Sequence, residues 1–120
     1  MVRNLVLHIS QIDGIAVIAL EGFLDAHTAP QFEEAIQSEI DAGRRNIVVD
    51  CARLLYISSA GLGVFMGFIG ELRETGGDIK ICGVAAPRVL QLFEVSGFKD
   101  LFGLAADLPA AVALFREKDK

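Results

Sequence analysis

Residues 5–10 alternate apolar and polar side chains with the two-residue period of a β-strand, which places three apolar side chains on one face: Leu5, Leu7 and Ile9. The dipeptide Asp-Gly at 13–14 favours a two-residue hairpin turn, because both positions tolerate a positive φ. Residues 15–20 (IAVIAL) are apolar on both faces, as in a central strand. The pattern predicts that the chain opens with an antiparallel hairpin.

The next segment changes to the spacing of an amphipathic helix, with apolar side chains three or four residues apart at Phe32, Ala35, Ile36 and Ile40. Thr28 and Gln31 have the spacing of a capping box, and Pro30 fits a first helical turn. Gly43 ends this helix. Residues 46–51 (NIVVDC) then predict a short strand.

The rest of the chain continues the alternation of strands and helices. Serines at 58–59 before an apolar periodic run predict a helix over 60–74, which the glycines at 76–77 end. The pattern then predicts a strand over 78–84, a helix from Pro87 to near Gly97, a short strand at 101–104 and a final helix opened by Asp107 and Pro109. Residues 116–120 are expected to be a frayed tail. This order indicates an α/β fold with a mixed sheet.

Composition narrows the class of protein. The 120 residues carry 11 Lys and Arg against 16 Asp and Glu, a net charge of −5, with 52% hydrophobic and 22% charged residues. The apolar content excludes a disordered chain, and the length indicates one domain over 1–120. The negative balance argues against a nucleic-acid partner, since nothing would neutralise a row of phosphates.

Three features bear on location. The N-terminus lacks the apolar core and cleavage site of a signal peptide. The uncharged run at 54–70 has 17 residues, the lower limit of a membrane span, but four glycines and two serines interrupt it. We interpret it as a strand end followed by a buried helix, without membrane insertion. Cys51 and Cys82 lack metal or disulfide spacing, so we expect buried free thiols in a cytoplasmic protein.

The densest unusual segment is SSAGLG at residues 58–63, between a strand and a helix. A helix start carries unpaired N–H groups and a partial positive charge, which suit an anion or a phosphorylated hydroxyl. Its small side chains leave it open to another surface. The alternative is structural: one serine caps the helix, and the glycines allow close packing. The residues alone leave both interpretations open.

The remaining motifs contain no catalytic set. The glycines of 61–67 follow G-x-G-x-x-x-G, one residue too long for a dinucleotide fingerprint, and no lysine follows them as in a phosphate-binding loop. A G-x-S-x-G elbow is absent, and His8 and His27 have no clustered metal ligands. Asp25 and His27 could form an acid–base pair, but Asp25 could equally support its loop. We expect a non-enzymatic protein without a cofactor or metal.

Four blocks, in order, resemble the STAS domain family, and most of all its bacterial anti-sigma factor antagonists. They are GFLDAHTA (22–29), VDCARLLYISSAGLG (49–63), GGDIKICG (76–83) and VLQLFEVSG (89–97). The resemblance covers nearly the whole chain. It implies a sheet of four to five strands, with about four helices mainly on one side.

The resemblance also implies a partner-switching mechanism. In this family the unmodified antagonist binds an anti-sigma factor, which is commonly also a serine kinase, and the sigma factor is freed. The kinase phosphorylates a serine at the start of the second helix, and binding weakens. A PP2C-type phosphatase restores the binding form. An anti-sigma factor kinase and such a phosphatase are therefore the implied partners, and transcription is the regulated process.

The chain departs from the family motif, Asp-Ser-Ser/Thr-Gly-Leu-Gly, at the phosphate acceptor. Ser58 falls on the aspartate, Ser59 on the first serine and Ala60 on the acceptor, and alanine cannot be phosphorylated. Either Ser59, with Ser58 as the lesser candidate, receives the phosphate, or the chain binds constitutively. Asp25 matches the family's loop aspartate, which lies beside the acceptor helix.

The expected binding surface combines the exposed face of the 60–74 helix with five residues at its start and in the earlier loop: Asp25, Ser58, Ser59, Ala60 and Gly61. A second interpretation is a STAS subunit of a membrane-associated lipid or solute transporter. Such a subunit would bind an ATPase and would need no phosphate acceptor.

Overall fold

The computed structural model of the protein describes residues 4–118. Its elements are β1 (Leu5–Ile12), β2 (Ile15–Leu24), α1 (Ala29–Asp41), β3 (Asn46–Ile57), α2 (Ser59–Glu74), β4 (Asp78–Cys82), α3 (Pro87–Val95), α4 (Phe98–Phe102), β5 (Leu104–Ala105) and α5 (Leu108–Lys118). The strands form a sheet in the order β1-β2-β3-β4-β5. β1 pairs antiparallel with β2, and the later pairs are parallel. The predicted α/β fold with a mixed sheet is confirmed.

The opening hairpin forms because its two turn residues adopt the left-handed backbone conformation. Asp13 has a φ of 53° and Gly14 a φ of 81°, as a type I′ turn requires. β1 and β2 then keep an unbroken register from Leu5↔Gly22 to Ile12↔Ile15. The predicted hairpin is confirmed.

Two hydrophobic clusters cover the two faces of the sheet. The larger cluster lies between the sheet and α1 to α4. Four phenylalanine rings in it have centroids 5.1 to 6.2 Å from the centroid of the Phe65 ring: Phe32, Phe93, Phe98 and Phe102. The smaller joins the other face to α5, with Val48 and Cys82 packed near Phe115. Four helices therefore lie on one face of the sheet and α5 lies on the other. The expectation that the helices lie mainly on one side is confirmed.

β3 is longer than its hydrophobic run. It runs unbroken to Ile57, whereas the apolar pattern predicts a short strand over 46–51 and a separate strand end from residue 54. Its second half pairs with β2 from Glu21↔Arg53 to Leu24↔Ile57, after a register shift between Ala19 and Glu21. Because Ala52 and Arg53 are both exposed, the apolar pattern breaks while the strand continues.

The predicted strand at 101–104 is largely helical. α4 spans Phe98–Phe102, and only Leu104–Ala105 form β5. Phe98 and Phe102 lie one helical turn apart, so both rings reach the larger cluster, which favours the helix. The chain therefore has five helices within residues 4–118, where the sequence predicts about four.

α5 begins where the sequence predicts, and it extends into the segment predicted as the tail. Asp107 opens it as predicted, and its Oδ1 accepts the N–H of Ala110 at 3.0 Å. The helix continues to Lys118, past residue 116 where the tail is expected to begin, while 119–120 lie outside the described residues. Arg116 forms an ion pair with Asp13 in the hairpin turn.

The uncharged run at 54–70 divides between two elements. Residues 54–57 end β3, and α2 begins at Ser59 and buries one face against the sheet. The prediction of a strand end followed by a helix is confirmed. Within residues 4–118, no helix has both the length and the apolar character needed to cross a membrane.

Cys51 and Cys82 are free, buried thiols, as predicted. They belong to different clusters, on opposite faces of the sheet. Burial raises the pKa of the Cys82 thiol to about 12, and it raises the pKa of Cys51 even further above the ordinary value. Both groups are therefore protonated and out of contact with solvent at neutral pH.

We expect a thiol reagent to label the native chain at pH 8 on the order of a thousandfold more slowly than the unfolded chain, because the thiolate is the reacting form. With a reagent that releases a coloured thiolate on reaction, absorbance measures the labelling rate of the native chain without guanidinium and that of the unfolded chain with it. Rapid labelling of either cysteine in the native chain would contradict the buried assignment.

Candidate functional site

The start of α2 is held by the ends of two neighbouring strands. Ser58 is the N-cap residue, with an extended backbone (φ −103°, ψ 174°), and its N–H donates to the carbonyl of Leu24 at 2.9 Å. This bond ties the end of β2 to the first turn of the helix. We call residues 58–61 the α2 turn. Asp25 follows Leu24 directly, so the predicted site residues come together at one end of the sheet.

The two serines of the α2 turn have different surroundings. Ser59 is exposed, whereas Ser58 is half-buried and its Oγ is covered, with no hydrogen-bond partner among the described residues. The Ser58 side chain also makes no capping bond, so the predicted alternative of a serine that caps the helix is wrong for this side chain. Ser59 is the hydroxyl that another protein can reach.

Gly61 is buried and sets how closely α2 approaches the sheet. A Cβ at this position would lie 2.8 Å from Leu24 Cγ and 2.9 Å from Ile57 Cγ1. Such distances are too short for real Cβ contacts, so only glycine fits. The prediction that a glycine of this segment allows close packing is confirmed at Gly61. Gly61 therefore shapes the α2 turn from beneath, while Ser59 and half-buried Ala60 form its surface.

Asp25 is fixed within the loop between β2 and α1. Its Oδ1 accepts the backbone N–H groups of His27 at 3.0 Å and Thr28 at 3.1 Å. The hydrogen bond from the Thr28 N–H is the main reason that the pKa of Asp25 lies below its ordinary value. The carboxylate is thus charged at neutral pH, and it bonds to the backbone of His27. Asp25 therefore supports its loop, which is one of the two roles that the sequence allows for it.

Thr28 does not form the predicted capping box. It is the N-cap residue of α1 but makes no side-chain capping bond. Its Oγ1 instead donates to the carbonyl of Phe23 at 2.8 Å and accepts the N–H of Asp25 at 3.0 Å. The hydroxyl is used to close the loop around Asp25, which explains why it is unavailable to the helix.

A groove of about 480 Å³ runs between α1 and α2 and begins at the α2 turn. Ala60, Gly63 and Gly67 line it from α2, and acidic side chains line it at Glu33 and Glu71. A Cβ at Gly63 or Gly67 would meet nothing within 4 Å, so the chain's own packing does not require these glycines. A glycine inside a helix costs about 0.5–1 kcal/mol relative to alanine. Sequence reasoning missed this groove, although the unexplained glycines were a signal of it.

Two proteins with similar sequences are both named as anti-sigma factor antagonists. The chain is 37% identical over 110 residues to BtrV of Bordetella bronchiseptica, which has a provisional name as an anti-sigma factor antagonist; the match covers 92% of this chain and 94% of BtrV. It is 34% identical over 98 residues to the anti-sigma-B factor antagonist of Staphylococcus aureus, covering 82% of this chain and 90% of that protein.

The fold agrees with a solved structure and with the family profile. The crystal structure of an anti-sigma factor antagonist from Mycobacterium paratuberculosis superposes with a TM-score of 0.81 at 21% identity, covering 94% of this chain and 95% of that chain. The sequence profile of the STAS domain matches residues 7–111. The chain therefore belongs to the STAS domain family.

Proposed function

We propose that this chain is an anti-sigma factor antagonist, which regulates transcription by binding an anti-sigma factor through the α2 turn. The observation that carries the proposal is the exposed Ser59 on a helix start of small side chains, in a chain 37% identical to BtrV. A surface of this kind allows a partner to approach the backbone closely. A transporter subunit, the alternative function, would also belong to the STAS family. The two relatives described above, at 34% and 37% identity, are both named as anti-sigma factor antagonists.

The proposed partner is also a serine kinase, and Ser59 is the proposed acceptor. Its exposed Oγ would take the γ-phosphoryl group of ATP, releasing ADP and a proton, whereas the covered Oγ of Ser58 is out of reach. A phosphoryl group adds about −1.5 to −2 charges, which an interface fitted to a hydroxyl cannot accommodate. A PP2C-type phosphatase would hydrolyse the phosphoserine and restore the binding form.

The chain itself contributes binding rather than catalysis in this proposal. The Asp25 carboxylate is occupied by two backbone N–H groups, and it holds the loop beside the α2 turn. Its charge gives the partner a fixed contact at the edge of the surface. The exchange of partners takes place in the cytoplasm, where sigma factors meet RNA polymerase.

Calorimetric titration of the chain into its purified cognate anti-sigma factor tests the proposal. We expect a dissociation constant of about 1 µM or tighter, and displacement of the sigma factor from a preformed complex. Incubation with the kinase and ATP, followed by mass spectrometry, should locate phosphate on Ser59. Absence of both binding and displacement would refute the function, and phosphate found only at other residues would remove Ser59 as the acceptor.

A further inference from the structure

A second cavity, of about 210 Å³, adjoins the α2 turn at Ile57 and shares no lining residue with the groove. It is bounded by the end of β3 and by α3, and we call it the β3–α3 pocket. Ile57 and Leu92 give it apolar walls, and Val95 beside them is 75% exposed. The Tyr56 ring forms another wall and packs against Phe23, with the ring centroids 6.1 Å apart. The pocket is therefore preformed and largely apolar.

The β3–α3 pocket also contains an unneutralised positive charge. Within residues 4–118, Arg88 has no ion pair or hydrogen bond, unlike the other arginines of that range: Arg44, Arg45, Arg53, Arg73 and Arg116. The chain has a net charge of −5, so acidic groups are abundant elsewhere on it. A guanidinium has the geometry to bind a carboxylate through two parallel hydrogen bonds. The pocket thus matches an apolar group that has a carboxylate next to it.

We propose that the β3–α3 pocket is a second anchor point for the anti-sigma factor: it takes an apolar side chain of the partner, and a neighbouring carboxylate of the partner pairs with Arg88. This inference rests on the proposed function. Ile57 lines the pocket and directly precedes Ser58, so an interface over the α2 turn extends into it.

The size of protein interfaces supports this extension. A stable complex buries on the order of 800 Å² on each partner, more than a turn of four residues can supply. Binding energy concentrates in a few residues, often aromatic side chains and arginines, at well-packed and desolvated pockets of an interface. The groove, which adjoins the α2 turn at Ala60, is acidic at Glu33 and Glu71, so the groove and the pocket would recognise opposite charges of the partner.

The test compares charge reversals at two exposed cations. Arg88→Glu should lower the affinity for the purified cognate anti-sigma factor at least tenfold at low salt, with a smaller loss at high salt. Val95→Asp, which places a carboxylate at the pocket, should lower it similarly, and Arg88→Lys should retain part of it. Lys99→Glu on α4 is the matched control and should bind within twofold of wild type. Circular dichroism checks that each variant is folded.

Other outcomes separate this inference from the proposed function. If Ser59→Asp weakens binding but Arg88→Glu binds as wild type does, the anchor is refuted and the proposed function stands. If Arg88→Glu changes only the self-association of the chain, measured by sedimentation, the pocket belongs to a second copy and the inference is refuted. If the wild-type chain does not bind the anti-sigma factor, both proposals are refuted.

Discussion

Replacing Ser59 by aspartate is expected to weaken binding of the anti-sigma factor about tenfold or more, a loss of at least about 1.4 kcal/mol. Ser59 is exposed on a turn whose other surface side chain is small, so a partner that covers the turn would bury the new carboxylate without a counter-charge. Ser59→Ala removes only a hydroxyl and should bind within about twofold of wild type. Calorimetric titration of the three proteins measures the difference.

The same substitution should leave the fold intact. Ser59 is the first residue of α2, where a negative side chain interacts favourably with the helix dipole. The free energy of unfolding of Ser59→Asp should therefore equal or slightly exceed that of wild type in urea denaturation. Equal affinity of the aspartate and alanine variants for the partner would contradict a docking role for the α2 turn.

Gly61→Ala is expected to destabilise the fold by about 1–3 kcal/mol, the usual cost of forcing an extra methyl group into a packed core. The new Cβ would lie 2.8 Å from Leu24 Cγ and 2.9 Å from Ile57 Cγ1, and both side chains are buried. Neither atom is at the flexible end of its side chain, so the helix or the strand ends must move. Urea denaturation with an unchanged m-value measures the loss.

Gly63→Ala on the same helix is the matched control. Its Cβ would meet nothing within 4 Å, so removal of a helical glycine should stabilise the chain by about 0.5–1 kcal/mol. The two alanine variants should therefore change stability in opposite directions. A stabilising effect of Gly61→Ala would show that α2 does not rest on Leu24 and Ile57 in the way described.

The parts of the fold that local patterns encode were predictable. The Asp-Gly turn requires only two residues that tolerate positive φ, and the apolar runs predict β2 and the first half of β3. The continuity of β3 through Ala52 and Arg53 was missed because it depends on β2, which pairs with β3 across a register shift that the sequence does not reveal. α4 was missed because the burial of its two phenylalanines is a tertiary effect.

The candidate site was predictable in position but not in detail. The motif at 58–63 located the α2 turn, yet its two serines look alike in sequence. Their difference comes from the chain around them, which covers Ser58 Oγ and leaves Ser59 exposed. The groove and the β3–α3 pocket join elements distant in sequence, so the glycines of α2 signal only one wall of the groove, and no local pattern signals the pocket.

Titration of the isotopically labelled chain with its unlabelled anti-sigma factor, followed by amide NMR, is the sharpest test of binding through the α2 turn. We expect the amides of residues 58–63 and of the Asp25 loop to shift or broaden first, while those of β1 and α5 stay unchanged. Perturbations confined to β1 and α5, with the α2 turn unaffected, would contradict binding through the α2 turn.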